Sequence, residues 1–397
     1  MTLDRKLIAP DAKIAVLNRG EAAVRFIRAT KEYNTLHETK LESIALYIDS
    51  ESDALFVKEA DHAHSLSDFD LFGTIQGSPY LNAEFIIDVL KSCKAEAVWV
   101  GWGFLAEDSH FASLLEANNI ILIGPTSEAM ELLGDKIKAK ELADNTKVPT
   151  TPWSGRPLKD LEDAKTIAKK IGYPVILKSA NGGGGRGIRK VFKEDEMEQG
   201  FKSVSEEIFR FFGNKIIFME ALVVHGRHLE VQCVADYHGN VQTFGVRDCS
   251  VQRNNQKIIE ETPPAHLSEE LIVELEDASS RLLKASNYHG AGTVEYLYDL
   301  DRKQSFFMEV NTRLQVEHPI SEELYHTDLV QLQLHVGQGA DLSKFKKEAP
   351  IGHVIEIRLN AEDPDNKFAP TPGKIKKYLP PQLLSLIHIS EPTRRTP

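Results

Sequence analysis

The stretch FFMEVNTRLQVEHP, residues 306–319, sets a row of polar side chains on an apolar frame. Phe306, Phe307, Met308 and Val310 supply the apolar bulk of a strand. Glu309, Asn311, Arg313, Gln315 and Glu317 fall two residues apart, so in an extended chain all five share one face. Read alone, such a face also suits the solvated side of an edge strand. Upstream, residues 293–298 (TVEYLY) are strand-like and residues 299–305 turn-like, which predicts a β-hairpin. Counting outward from Arg302 makes Glu295 and Glu309 cross-strand neighbours. Like charges so placed destabilise a sheet. A divalent cation removes the conflict, because Mg²⁺ takes a few carboxylate oxygens together with phosphate oxygens and water. Glu295, Glu309 and Asn311 are therefore a candidate Mg²⁺-nucleotide site.

The 397-residue chain is long enough for two or three domains. Its 27% charged and 42% hydrophobic residues are ordinary for a globular protein. A net charge of −12 with no basic block disfavours nucleic acid as a partner. Cys93, Cys233 and Cys249 form neither a disulfide framework nor a metal-ligand spacing, which suits a reducing, cytoplasmic setting. No run approaches the ~18 apolar residues of a membrane span.

Residues 13–34 read as a βα unit: a short apolar strand, Asn18-Arg19-Gly20, then a helix with Ala23, Phe26, Ile27 and Tyr33 spaced for burial. Further buried strands at 43–49, 97–101 and 120–124 predict an open parallel α/β sheet. The first turn lacks the glycine triplet of a dinucleotide site, which argues against a redox cofactor. A helix at 127–133 stops at Gly134, and Asp135 caps a second one beginning at Lys136, at an end suited to anions. Residues 148–158, with three prolines, read as a linker.

Beyond it, YPVILKS (173–179) and IRKVF (188–192) are strands around the loop NGGGGRG (181–187). Consecutive glycines have no packing value and cost backbone entropy to order. They suit a mobile flap whose N–H groups close over a polyphosphate, with Lys178 reaching the same phosphates. The Gly-Lys-Ser/Thr ending of a P-loop is absent. Strand 216–220 ends in backbone groups able to contact an adenine ring. Residues 228–236 and 241–248 form a second hairpin, with His228, Glu230 and Gln232 on one face. A lone histidine in a sheet is usually structural, and no metal spacing accompanies His228. The polar segment 247–261 includes Lys257.

With these pieces placed, the chain resembles the biotin carboxylase subunit or domain of biotin-dependent acyl-CoA carboxylases, within the ATP-grasp superfamily. The resemblance rests on NRGE at Asn18, GDK at Gly134, NGGGGRGI at Asn181, RDCSVQR at Arg247, EVNTRLQVEHP at Glu309 and RLNAEDP at Arg358. VWVGWG at Val98 and VPTTPWSG at Val148 are similar to the large acetyl-CoA carboxylases of fatty acid metabolism. The implied fold class is α/β: an N-terminal open parallel sheet (1–130), an ATP-grasp α+β domain (131–350) with a glycine-rich lid (150–222), and the start of a C-terminal domain (351–381). Residues 382–397 read as a non-native tail, and residues beyond 351 are expected to be poorly packed with an open sheet edge.

The resemblance further implies that Lys136, Lys178, Gly183, Gly184, Gly185, Gly187, Glu220, Val223, His228 and Gln252 contact ATP, and that Glu295 and Glu309 hold Mg²⁺ or Mn²⁺. It assigns bicarbonate to Lys257, Arg313, Gln315 and Val316, the general base to Glu317, and support of deprotonated biotin to Arg358. A guanidinium is permanently charged and forks onto planar oxyanions, which suits Arg313 and Arg358. The implied reaction is ATP-dependent carboxylation of biotin on a carrier protein, through carboxyphosphate, to give carboxybiotin, ADP and phosphate. The implied partners are a biotin carboxyl carrier, a carboxyltransferase and a second copy of the chain. The alternatives are a carbamoyl-phosphate-synthase-like or other ATP-grasp ligase, and a catalytically dead nucleotide-binding scaffold. Asn254-Asn255 stands where the family usually has Arg-His, which puts nucleotide contacts there in question.

Overall fold

The computed structural model describes residues 6–180, 187–212, 216–373 and 377. Gly183, Gly184 and Gly185 of the expected lid, and the 382–397 tail, lie outside these residues. The N-terminal part runs β1 (Lys13–Val16), α1 (Gly20–His37), β2 (Glu42–Tyr47), α2 (Leu55–Glu59), β3 (His62–Ser65), α3 (Ala83–Ser92), β4 (Ala97–Trp99), α4 (Ser109–Ala117) and β5 (Ile121–Leu122). Its strands form a parallel sheet in the order β3-β2-β1-β4-β5. Strand β3 was not anticipated, because HAHS offers no apolar run.

α5 (Ser127–Gly134) and α6 (Lys136–Asn145) follow. The Asp135 carboxylate accepts from the N–H groups of Ile137 and Lys138, as the capping reading requires. α7 (Leu161–Ile171), β6 (Val175–Ser179), β7 (Ile188–Val191), α8 (Met197–Phe212) and β8 (Ile217–Ala221) make a small unit. Its sheet, β7-β6-β8, is packed by Ala164, Ala168, Val204 and Ile208. The segment 148–158 is not a free linker. Thr150 bridges to Phe307 and Trp153 to Glu220, so its backbone hydrogen bonds tie it to both sheets.

The central sheet is built from β9 (Gly226–Ala235), β10 (Val241–Arg253), β11 (Gln256–Thr262), β12 (Gly290–Asp299), β13 (Gln304–Asn311) and β14 (Val354–Ile357), in the order β13-β12-β9-β10-β11-β14. α9 (Glu269–Ala285) covers β9 and β10. α10 (His318–Tyr325) packs on β10, β11 and β14 of the central sheet and α11 (Leu329–Gly337) packs on α1, and Phe26, Trp99, Leu324 and Leu334 share one core. Two expectations change. The strand carrying Glu309 ends at Asn311, and residues 312–317 form an irregular turn into α10, so Arg313, Gln315 and Glu317 are not its continuation. The segment bearing Arg358 joins the central sheet through β14 and does not start a separate layer. On β14 and just beyond it, Ile355, Ile357 and Leu359 are exposed, as the open-edge expectation has it.

Asn254 and Asn255 close the two-residue β10-β11 hairpin with φ of 51° and 62°. A turn with two left-handed positions favours asparagine, which gives this departure from the family pattern a backbone reason.

Candidate active site

Strand register builds the site as a rung across four strands. Glu309 on β13 faces Glu295 on β12, as the hairpin count predicts, and Glu295 faces Glu230 on β9, which in turn faces Arg247 on β10. Three adjacent carboxylates would repel, and cations from other elements offset them. The Lys136 ammonium, from the first turn of α6, binds Glu309. Lys257 on β11 bridges Glu230, Glu295 (3.3 Å) and Glu317 (2.6 Å). His228 Nε2 lies 2.9 Å from Glu295, and its Nδ1 meets the Gln252 amide at 2.9 Å. His228, Glu230 and Glu295 bring ligand atoms within 4.8 Å of one another, a grouping hidden in the sequence because the glutamate of β12 lies far along the chain.

Beyond Asn311 the chain turns so that Gln315 donates to Glu295 Oε1 (3.0 Å) and accepts from Arg247 (2.9 Å), which orients its amide. Glu317 sits at the N-cap of α10 and accepts from Lys257 and from Arg358 Nη2 (2.8 Å). Burial pushes the Glu317 carboxyl up, but the charges of Lys257, Arg247 and Arg358 outweigh it and bring it down to about 2. Glu295 is likewise held well below the carboxylate range: burial opposes this, and Lys257 and His228 prevail. Arg313 pairs with Glu107 at 2.8 Å.

These groups line a cleft of about 380 Å³ between the central sheet and the β6-β8 unit. Lys136, Lys178, Glu220, His228, Gln252, Lys257, Glu295, Glu309, Asn311, Arg313 and Gln315 all face it. Glu317 and Arg358 are joined to its wall through Lys257. Val223 and Val316 are not among the described lining residues. Gly187 lies at the end of the lid, where φ is +69° and a Cβ would meet Ser179 and Ile208 at 3.0 and 3.2 Å.

Three residues escaped the sequence reading as site components. Glu230 was seen to share a face with His228 without a role, and Asn255 lines the cleft. Arg247 is fully buried and donates to Glu230, Gln232, Thr293, Gln315 and Ser321. Only a guanidinium serves so many acceptors in one plane. Arg247→Met is expected to cost about 3–5 kcal/mol, the penalty for stranding a buried carboxylate. Urea unfolding checks this, and a loss below about 1 kcal/mol would contradict the bracing role.

Two family models match the chain: "Biotin carboxylase, N-terminal domain" over residues 10–130, and "Carbamoyl-phosphate synthase L chain, ATP binding domain" over residues 135–345. Biotin carboxylase 1 of Bacillus subtilis is 41% identical over 370 residues, 93% of this chain and 80% of the relative. The chain belongs to the biotin carboxylase family. The second model spans an ATP-binding domain that carbamoyl-phosphate synthases share, so the N-terminal match and the relatives decide between the two ligases. A biotin carboxylase from Campylobacter jejuni, solved as a β,γ-ATP complex, superposes with a TM-score of 0.84 at 40% identity, covering 93% of this chain and 80% of that one. The biotin carboxylase domain dimer of Hydrogenobacter thermophilus 2-oxoglutarate carboxylase, solved with MgADP, ADP and bicarbonate, also gives 0.84 at 40% identity, covering 95% and 80%. This biotin carboxylase family member is thus an ATP-grasp ligase with the α/β architecture expected of it. Among the described residues no helix is long and apolar enough to cross a membrane.

Proposed function

We propose that the cleft binds Mg-ATP and bicarbonate and that the chain carboxylates biotin on a carrier protein, releasing ADP and phosphate. The observation that carries this reading is Glu317, a buried carboxylate held between Lys257 and Arg358 beside the nucleotide cleft. Glu295 and Glu309, with Asn311 beside them, offer the oxygen donors a hard cation takes, and their two like negative charges suit it. Mg²⁺ held there would neutralise charge on the phosphoryl group being transferred.

The chain's own residues divide the remaining work. Lys136 and Lys178 meet the phosphates, and Glu220 with the strand end at Val223 faces the adenine. Glu220 is itself held by Lys178 at 3.4 Å, the buried Lys140 at 3.5 Å and Thr151 at 2.9 Å. Lys257, Arg313, Gln315 and the Val316 backbone receive bicarbonate. Once Lys257 turns to that anion, its hold on Glu317 weakens and the carboxylate gains the proton affinity a general base needs. Arg358 then steadies the deprotonated biotin. The glycine lid of 150–222 closes over the phosphates and keeps water out.

Relatives at 39–41% identity include 2-oxoglutarate, methylcrotonoyl-CoA and pyruvate carboxylases, so this half-reaction is common to several acceptors. A biotin carrier, a carboxyltransferase and a second copy of the chain are accordingly its proposed partners, and the cytoplasm its proposed location. The division at about residue 130, with the Arg358 segment counted to the central sheet, is proposed with it. ATP hydrolysis that requires bicarbonate and rises with free biotin is the expected result. Hydrolysis indifferent to bicarbonate, or stimulated only by an amine, would assign a different ligation, and no turnover at all would leave a scaffold.

A further inference from the structure

Strands β11 and β14 set Glu260 directly opposite Glu356. Val354, Glu356 and Arg358 face inward, while Ile355 and Ile357 face out. Glu260 is 0% exposed, and Oε2 of both carboxyls is buried and finds no hydrogen-bond partner among the described residues. The other oxygen of Glu260 accepts from Arg358 Nε at 2.8 Å, and Arg358 Nη2 reaches Glu317 at 2.8 Å. Two ionised carboxylates side by side, each with a bare buried oxygen, are doubly penalised, by repulsion and by desolvation. One proton between them removes both penalties, because a protonated carboxyl becomes a donor.

We propose that Glu356 is a positioning residue of the carboxylation site: its protonated carboxyl donates to Glu260 Oε2, and the pair so formed fixes Arg358 against Glu317. The inference rests on the roles given above to Arg358 and Glu317.

The surrounding charges agree. Arg358 just past the end of β14, Lys257 on β11, Arg247 on β10 and Glu317 at the start of α10 face the pair. His318, the first residue of α10, is held neutral, pushed down to about 3 by burial, and Glu322 further along the helix is engaged with Arg25. Arg247 is spent on Glu230, and Lys257 on Glu230, Glu295 and Glu317, which among the described residues leaves Arg358 to serve Glu260. A second charge at Glu356 would have no cation of its own among the described residues. Burial, with the charges of Glu260 and Glu317 behind it, pushes the Glu356 carboxyl up to about 8. Its folded pKa exceeds the ordinary carboxylate value near ~4.3. The stability it contributes is therefore full below that value and is lost as pH rises to about 8.

The test compares Glu356→Gln, which keeps a donor but cannot titrate, with Glu356→Leu, which removes the donor. Carboxybiotin formation from free biotin is followed against pH beside bicarbonate-dependent ATP hydrolysis. Glu356→Leu is expected to lower the carboxylation kcat about tenfold with the KM for ATP unchanged, since Arg358 is left to a bare Glu260. Glu356→Gln should recover most of that loss and flatten the alkaline fall expected of the parent chain. An alkaline limb in Glu356→Gln equal to the parent's, or equal damage by both substitutions, would overturn the inference. If Glu356→Leu does not fold, the Glu356→Gln profile alone decides. Arg358→Ala separates the two levels. Should it leave carboxylation intact, the role of Arg358 fails. Should it abolish carboxylation while Glu356→Gln keeps the alkaline limb, only the present inference fails.

Discussion

Glu317→Gln is expected to lower bicarbonate-dependent ATP hydrolysis by about 10²–10⁴-fold, the range a positioned general base contributes. The amide keeps the size of the side chain, and its one oxygen can accept from Lys257 or Arg358 but not from both, since its NH2 is a donor; the nucleotide-binding groups are untouched, so nucleotide affinity should survive. Arg358→Ala should act differently. It leaves Glu317 with Lys257 as its cation and should mainly abolish carboxybiotin formation while ATP hydrolysis continues. Steady-state rates of the two half-processes, measured side by side, check the division. Identical losses in both reactions for both variants would refute it.

Glu309→Gln is expected to weaken Mg-ATP binding by at least about 10–100-fold, the size found even for residues that only support metal ligands. Two effects compete here. One oxygen donor to the cation is replaced by a weaker neutral one, and Lys136 loses the carboxylate it binds. A freed Lys136 would bind phosphate more strongly, which opposes the first effect. Titrating Mg-ATP and metal-free ATP separately resolves them: affinity for metal-free ATP should hold or rise while that for Mg-ATP falls. Unchanged affinity and turnover with Mg-ATP would remove Glu309 from the metal site.

The pairing of Glu295 with Glu309 was legible because the two strands are consecutive and joined by a short turn, so counting from the turn sets the register. The capping Asp135 and the amphipathic α1 were legible for the same reason, since partners within a few residues obey local periodicity. The turn after Asn311 was not: alternating polar residues fit a strand, and only the docking of α10 against β10, β11 and β14 shows where extension stops. Strand β3 escaped because its side chains carry no apolar signal.

The sequence by itself determined the hairpin, the caps and, through its motifs, the membership of Lys136, Lys178, His228, Lys257 and Arg313 in one site. The tertiary structure alone decided that Glu230 and Arg247 extend the Glu309-Glu295 rung, and that Glu356 lies against Glu260. β9 meets β12, and β11 meets β14, across long intervening segments. Which strands become neighbours is settled by burying one shared core, and no local spacing in the chain records that choice.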